Sequence, residues 1–220
     1  MNKDFKYFTL FGMLIVANKL CSMIFAQRIV NVFGITLPGG IIPFCIIFML
    51  LDIMTNHYRY ENVKKIIYFN AICEFTMAAI IYLTFKIPTT ASSGDQMFVA
   101  VLEPAVGIFF ASLAATACSY ILNCYLFSKL YFSWNGRFLG IRCVLSTALG
   151  ELVFSMIWTP IYFFGKLDIN AIKILVIDQY LFKVIFEIVT LPITYTLVYF
   201  LVKYERPTEI KYKNIAKKLI

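Results

Sequence analysis

The sequence is poor in charge and poorer still in histidine. Asp, Glu, Lys and Arg make up 15% of its 220 residues, while 61% are hydrophobic and the mean hydropathy is +0.80. A soluble fold cannot hide that much apolar surface, so the scarcity of charge leaves the polytopic membrane class. The single histidine, His57, sits at a helix end, where a solvated or headgroup-level role is the simplest one. The six cysteines, Cys21, Cys45, Cys73, Cys118, Cys124 and Cys143, contain no CxxC pair. That removes a zinc site and a disulfide framework, and all six read as small buried hydrophobes. No G-x-x-x-x-G-K-[ST] is present, so the chain is not itself an ATPase of that type. Nor is there an HExxH or a G-x-S-x-G, which an intramembrane hydrolase or lipid transferase would need in some form. We therefore expect no enzyme, no cofactor and no metal.

What is present is apolar sequence in long runs. Six spans are expected, at Tyr7–Ile29, Leu37–Asn56, Val63–Phe85, Val101–Leu126, Phe138–Phe164 and Ile172–Val202. Each is long enough to cross a hydrocarbon core of about 30 Å. Lys3 and Lys6 precede the first run as in a signal peptide, but the run continues past Lys19 without an A-x-A-like site, so it is taken as a spanning helix. Connections are short, and 86–97 is the most loop-like of them. The fold class is thus an all-α six-helix transmembrane bundle over 1–203, with a basic tail at 204–220.

The net charge of +8 would suggest nucleic acid only if it were concentrated. Instead the basic residues sit at span ends. Thirteen of the 20 Lys and Arg residues fall on the side of the termini and four on the other, the rest lying within spans or close to their ends. Positive charge marks the cytoplasmic face, so both termini are expected there, and the tail to lie on anionic lipid. The partners implied are membrane lipid and a small molecule, not nucleic acid.

The last span carries Gln179, Lys183 and Glu187 at i, i+4 and i+8. They fall within about 80° of arc, with Thr190 and Thr194 in the same sector. Ionisable groups in lipid are expensive, so this face should meet protein or water. Glu74 with Asn70 one turn below, and Glu151 with Thr147 and Ser155 at i−4 and i+4, reach a similar mid-membrane depth. Asp52 and Arg142 lie together nearer the cytoplasmic end and are expected to form a structural or gating ion pair. Glu103, beside Pro104, reads as a capping or interfacial residue at a span edge. The convergence of carboxylates and lysine points to a central site lined by Glu187, Lys183, Glu151, Gln179, Glu74, Asn70 and Thr147. Pro192 should kink the last span one turn after Glu187.

The stretch DQYLFKVIFEIVTLPITY carries a Q-Y-x-x-K-V-x-x-E-x-x-x-x-P-x-T-Y pattern at Gln179, Tyr180, Lys183, Val184, Glu187, Pro192, Thr194 and Tyr195. Arg142, Ser146, Thr147, Gly150 and Glu151 give R-x-x-x-S-T-x-x-G-E, and Leu37-Pro38-Gly39-Gly40 precedes Asp52-Ile53 and Tyr58. Over nearly the whole chain these resemble the VUT family of bacterial queuosine-precursor transporters, formerly called vitamin uptake transporters. Departures from the pattern are Asn56 for a Glu, Arg59 for a Gly and Phe154 for an Asp. The resemblance implies an inner-membrane importer of 7-cyano- or 7-aminomethyl-7-deazaguanine, or of queuine. Glu187 and Glu151 would accept hydrogen bonds from the base edge, Lys183 would hold their charge or the ligand carbonyl, and Phe186, Tyr180 or Tyr195 could stack on the ring. A substrate-binding subunit of an ATPase-driven vitamin or nucleobase transporter is the alternative. A homodimer and an energy-coupling partner stay open as further partners.

Overall fold

The structure is a computed structural model that describes residues 7–32, 34–88 and 93–205. The expected tail beyond residue 205 lies outside the described residues. The described residues form α1 (Phe8–Phe25), β1 (Ile29–Val32), β2 (Ile35–Pro38), α2 (Ile41–Tyr58), α3 (Tyr60–Thr84), α4 (Ser93–Ser133), α5 (Leu139–Phe163) and α6 (Ile169–Tyr204). All six helices are long and apolar enough to span a bilayer.

Helix α2 is the centre of the bundle. It packs on α1, α4 and α6 and also touches α3 and α5. Over its most apolar window 78% of α2 is buried, against 22% of α6, whose outer face shows Ile177, Leu181, Ile185 and Val189 to lipid. With no hydrophobic force between helices in lipid, close approach depends on small residues. Gly40 and Gly150 supply it. Gly150 of α5 lies against the Ser119 carbonyl of α4 and the Phe48 ring of α2.

Three local features differ from the sequence expectation. The α1–α2 connection is an antiparallel hairpin, with Ile29 opposite Pro38 and Val32 opposite Ile35. Its alternating β-branched residues around Gly34 (φ 84°), where Asn31 Oδ1 accepts from the Gly34 amide, are a legible hairpin signal. The hairpin buries Leu37 against Ile41 and Cys45 and rests on Phe182 and Phe186. The second difference is α4, which runs well past 101–126 at both ends and takes exposed Glu103 and Pro104 into its body rather than leaving them at an edge. Apolarity reports the hydrocarbon depth, not where backbone hydrogen bonding stops. α6 is one helix that contains Pro192, at about 54 Å for its 36 residues.

The third is Arg59, between α2 and α3, at φ 73° and ψ 158°. That region is essentially reserved for glycine and costs another residue about 1–3 kcal/mol, which accounts for the glycine of the family pattern. Here the Arg59 guanidinium donates to Tyr131 Oη at 2.8 Å and lies 3.8 Å from that ring's centre, offsetting the strain.

At the same end, Glu205 accepts from Tyr58 Oη at 2.6 Å and from the Tyr7 amide at 3.4 Å. The contact places both described chain ends on one side of the bundle. Tyr58→Phe removes the shorter of the two hydrogen bonds to Glu205, itself buried. The expected loss is about 1.5–3 kcal/mol of stability, read as a lower unfolding midpoint of the purified chain.

A buried charged core with a narrow pocket

Helices α5 and α6 run antiparallel, and their polar faces meet as a ladder. Gln179 Nε2 donates to Thr159 Oγ1 at 3.4 Å, and Lys183 Nζ donates to Ser155 Oγ at 3.4 Å. Lys183 Nζ also lies 2.8 Å from Glu151 Oε2, with both side chains buried. The i, i+4, i+8 spacing on each helix produces this register: 151, 155 and 159 face 183 and 179.

A second buried pair sits across the bundle. Lys19 of α1 donates to Thr116 Oγ1 of α4 at 3.0 Å and lies 3.8 Å from Glu74 Oε2 of α3. Asn70 Nδ2 donates to Glu74 Oε1 at 2.5 Å. The two ammonium groups flank one aromatic pair. Phe44 and Phe154 have ring centres 4.3 Å apart, and Lys183 Nζ is 4.5 Å from each. Lys19 Nζ is 5.2 Å from Phe44 and 5.7 Å from Phe154. Trp158 stacks on Phe154 at an interplanar angle of 16° and on Tyr162 at 17°. Phe154 thus stands where the family pattern has an acid, and its ring face receives both cations.

These groups wall a pocket at the hairpin end. Lys19, Phe44, Phe154, Trp158, Gln179 and Lys183 line it, and Pro38 and Gly40 stand beside it. The space between the walls is about 360 Å³, of which about 30 Å³ admits the centre of a water-sized sphere. That holds a water or two, so a bicyclic ring can enter only if the walls part.

One turn deeper along α6 is a third cluster. Oxygens of Asp52 and Glu187 and the Cys143 sulfur all lie within 4.8 Å of one another, and all three residues are buried. Asn123 Nδ2 donates to Asp52 Oδ1 at 2.8 Å and Thr147 Oγ1 to Asp52 Oδ2 at 3.4 Å.

The expected site residues therefore divide. Gln179 and Lys183 line the pocket. Glu151 backs Lys183, and Glu74 and Asn70 back Lys19. Thr147 and Glu187 belong to the deeper Asp52 cluster. The expected Asp52–Arg142 ion pair is not formed. Arg142 points back toward the start of α5, donating to the carbonyls of Arg137 at 3.0 Å and Gly136 at 3.3 Å and to Asn56 Oδ1 at 3.1 Å. Helical side chains lean toward the N-terminus, which carries this one away from Asp52. The aromatics expected to stack on a ring do not line the pocket either: Tyr195 is half exposed and its hydroxyl accepts from the Gly140 amide, while Phe186 packs under the hairpin. Lys19, Phe44 and Trp158 were not anticipated as site residues. A lysine inside an apolar run was the available signal for Lys19.

Residues 38–197 match the family model described as "Putative vitamin uptake transporter". The chain belongs to this family. A "Probable queuosine precursor transporter" of Bacillus subtilis (strain 168) is 23% identical over 179 residues, covering 80% of this chain and 78% of the relative. No solved structure matches the chain. The match to the transporter family spans every element of the charged core except α1 and so takes in all of it but Lys19. As a member of this transporter family with six helices able to span a bilayer, the chain is a multi-pass membrane transport protein.

Proposed function

We propose that this transporter imports a queuosine precursor across the inner membrane, with both termini cytoplasmic and the hairpin end outside. The observation that carries the substrate class is the pocket wall: a flat aromatic surface of Phe154 and Trp158 bordered by the Lys19 and Lys183 ammoniums and the Gln179 amide. A 7-deazaguanine is a flat bicycle that stacks on such a wall, and its carbonyl accepts from such donors. The name of the Bacillus subtilis relative supports the same class.

The lining also favours one precursor over another. Its charged groups are cations, and the carboxylates stand behind them. The 7-cyano base is neutral and its nitrile accepts a hydrogen bond; the 7-aminomethyl base carries an ammonium of its own. We expect the cyano form to be the better cargo.

The test is rescue of tRNA queuosine in a strain that neither makes the precursor nor carries its own importer, feeding each precursor separately. Rescue at lower concentrations of the cyano than of the aminomethyl form is the expected result, and failure with every deazaguanine overturns the proposal. Stacking on one aromatic is worth about 1–3 kcal/mol. Trp158→Ala is accordingly expected to raise the precursor concentration needed for half-maximal rescue about tenfold, at unchanged membrane abundance.

A further inference from the structure

We propose that Asp52 and Glu187 form the binding site of a monovalent coupling cation, a proton or a sodium ion, separate from the cargo pocket and one helical turn deeper. The assignment rests on the transport role of the family and not on the identity of the cargo.

The first observation is the cluster itself. Asp52 of α2 and Glu187 of α6 bring carboxylate oxygens within 4.8 Å of each other and of the Cys143 sulfur, at 0–1% exposure. The second is what faces them. Among the described residues no Lys or Arg nitrogen lies within 4 Å of either carboxylate. Lys183 is engaged by Glu151, Lys19 by Glu74, and Arg142 by backbone carbonyls and Asn56. Glu187 is the decisive group. It comes from a different helix, is buried, makes no ion pair, and its Oε1 accepts no hydrogen bond. Asn123 Oδ1 is also buried and without a donor, although its amide nitrogen is spent on Asp52.

Two buried carboxylates this close cannot both stay charged without a positive partner. The neighbouring groups from the other elements do not supply one. Helix α4 gives Asn123 and Cys124, and α5 gives Cys143, Thr147 and the already paired Glu151. Glu187 Oε1 and Asn123 Oδ1 are buried acceptors without a donor, which is the chemistry of a small hard cation or a shared proton. Dense burial leaves no space for the water shell that a magnesium ion keeps. The placement suits coupling: α6 carries Lys183 into the cargo pocket and Glu187 into this cluster, four residues apart. Filling the deep site adjusts the charge felt by the Lys183–Glu151 pair directly above it.

The test uses the full chain purified in detergent. Its unfolding midpoint is measured in sodium chloride against choline chloride at equal ionic strength, over about pH 6 to pH 9. A sodium site raises the midpoint saturably with sodium only. A proton site shows no sodium effect, and the midpoint falls as pH rises, because the folded state holds a proton that the unfolded state releases. Either response is expected to flatten in Asp52→Asn and in Glu187→Gln. Both are near-isosteric and remove excess buried charge, so both should fold. Three results overturn the proposal: a midpoint indifferent to sodium and pH, a response unchanged in both variants, or stabilisation by zinc alone that is lost in Cys143→Ser. A separate arm measures deazaguanine uptake into proteoliposomes under an imposed sodium or proton gradient, which is expected to accelerate it. No uptake under any gradient sinks the cargo reading while leaving the midpoint response to decide the ion site.

Discussion

Replacing Lys183 with methionine is expected to abolish uptake and to cost about 3–5 kcal/mol of stability, the usual penalty for stranding the partner of a buried ion pair. The stranded group is Glu151, fully buried, whose Oε1 already lacks a donor. Losing Lys183 would leave three carboxylates, Asp52, Glu151 and Glu187, stacked along α2, α5 and α6 without a cation. The informative variant is the double one, Lys183→Met with Glu151→Leu. Apolar replacement of both partners is often neutral or stabilising, so the unfolding midpoint should return to within a few degrees of the original. Uptake should not return, because the pocket has lost the ammonium that faces Phe44 and Phe154. Thermal unfolding by size-exclusion fluorescence and tRNA queuosine content separate the two readouts. A double variant that transports normally would reduce the pair to helix glue.

Gly40→Val is expected to be the most damaging single change outside the charged core. A Cβ at position 40 would run into the Ser22 carbonyl oxygen and lie 3.0 Å from the Ala26 nitrogen, both backbone atoms of α1 or its cap. The residue's φ of −76° is open to any amino acid, so the constraint is space and not conformation. A flexible side chain could swing away; a helix backbone cannot, and α1 must slide as a body. Overpacking of this kind costs about 1–3 kcal/mol and sometimes more. Because Ser22, Gly40 and Lys19 border the same pocket, the slide should also widen it. The checks are surface abundance and the concentration dependence of rescue, with Gly39→Val beside it as comparison. A Cβ at Gly39 would meet the Phe25 and Arg28 carbonyls at 2.9 and 3.1 Å, at the last residue of α1 and in the chain after it, and should be milder. Equal tolerance of both changes would contradict the packing described for α1 and α2.

Much of this was readable from the chain. The polar sector of the last span is buried as its spacing requires: Gln179, Lys183, Glu187, Thr190 and Thr194 are all inside. Burial of Glu74 and Glu151 followed from the cost of exposing them to lipid. Partner choice did not follow. Periodicity gives a residue's azimuth and depth on its own helix, but not which neighbour lies beside it. Lys183 therefore chooses Glu151 across the α5–α6 contact over Glu187 one turn away, and Arg142 chooses carbonyls over Asp52. Phe154 looked like a lost acid and became a pocket wall. Lys19 escaped although Ser22 follows it at helical spacing on the same buried face, because a lone serine inside an apolar run is a weak signal.

The central position of α2 has a consequence for how the molecule is made. Chains enter the membrane from the N-terminus, so α2 arrives second, while α4, α5 and α6, which supply the surroundings of Asp52, arrive last. Until Asn123 and Thr147 appear, Asp52 has neither of its hydrogen-bond donors. An unshielded aspartate within a spanning helix disfavours insertion, by up to roughly 2.5–3.5 kcal/mol at the helix centre. The hairpin waits as well: it rests on Phe182 and Phe186, so its seat is complete only once α6, the last helix made, is in place.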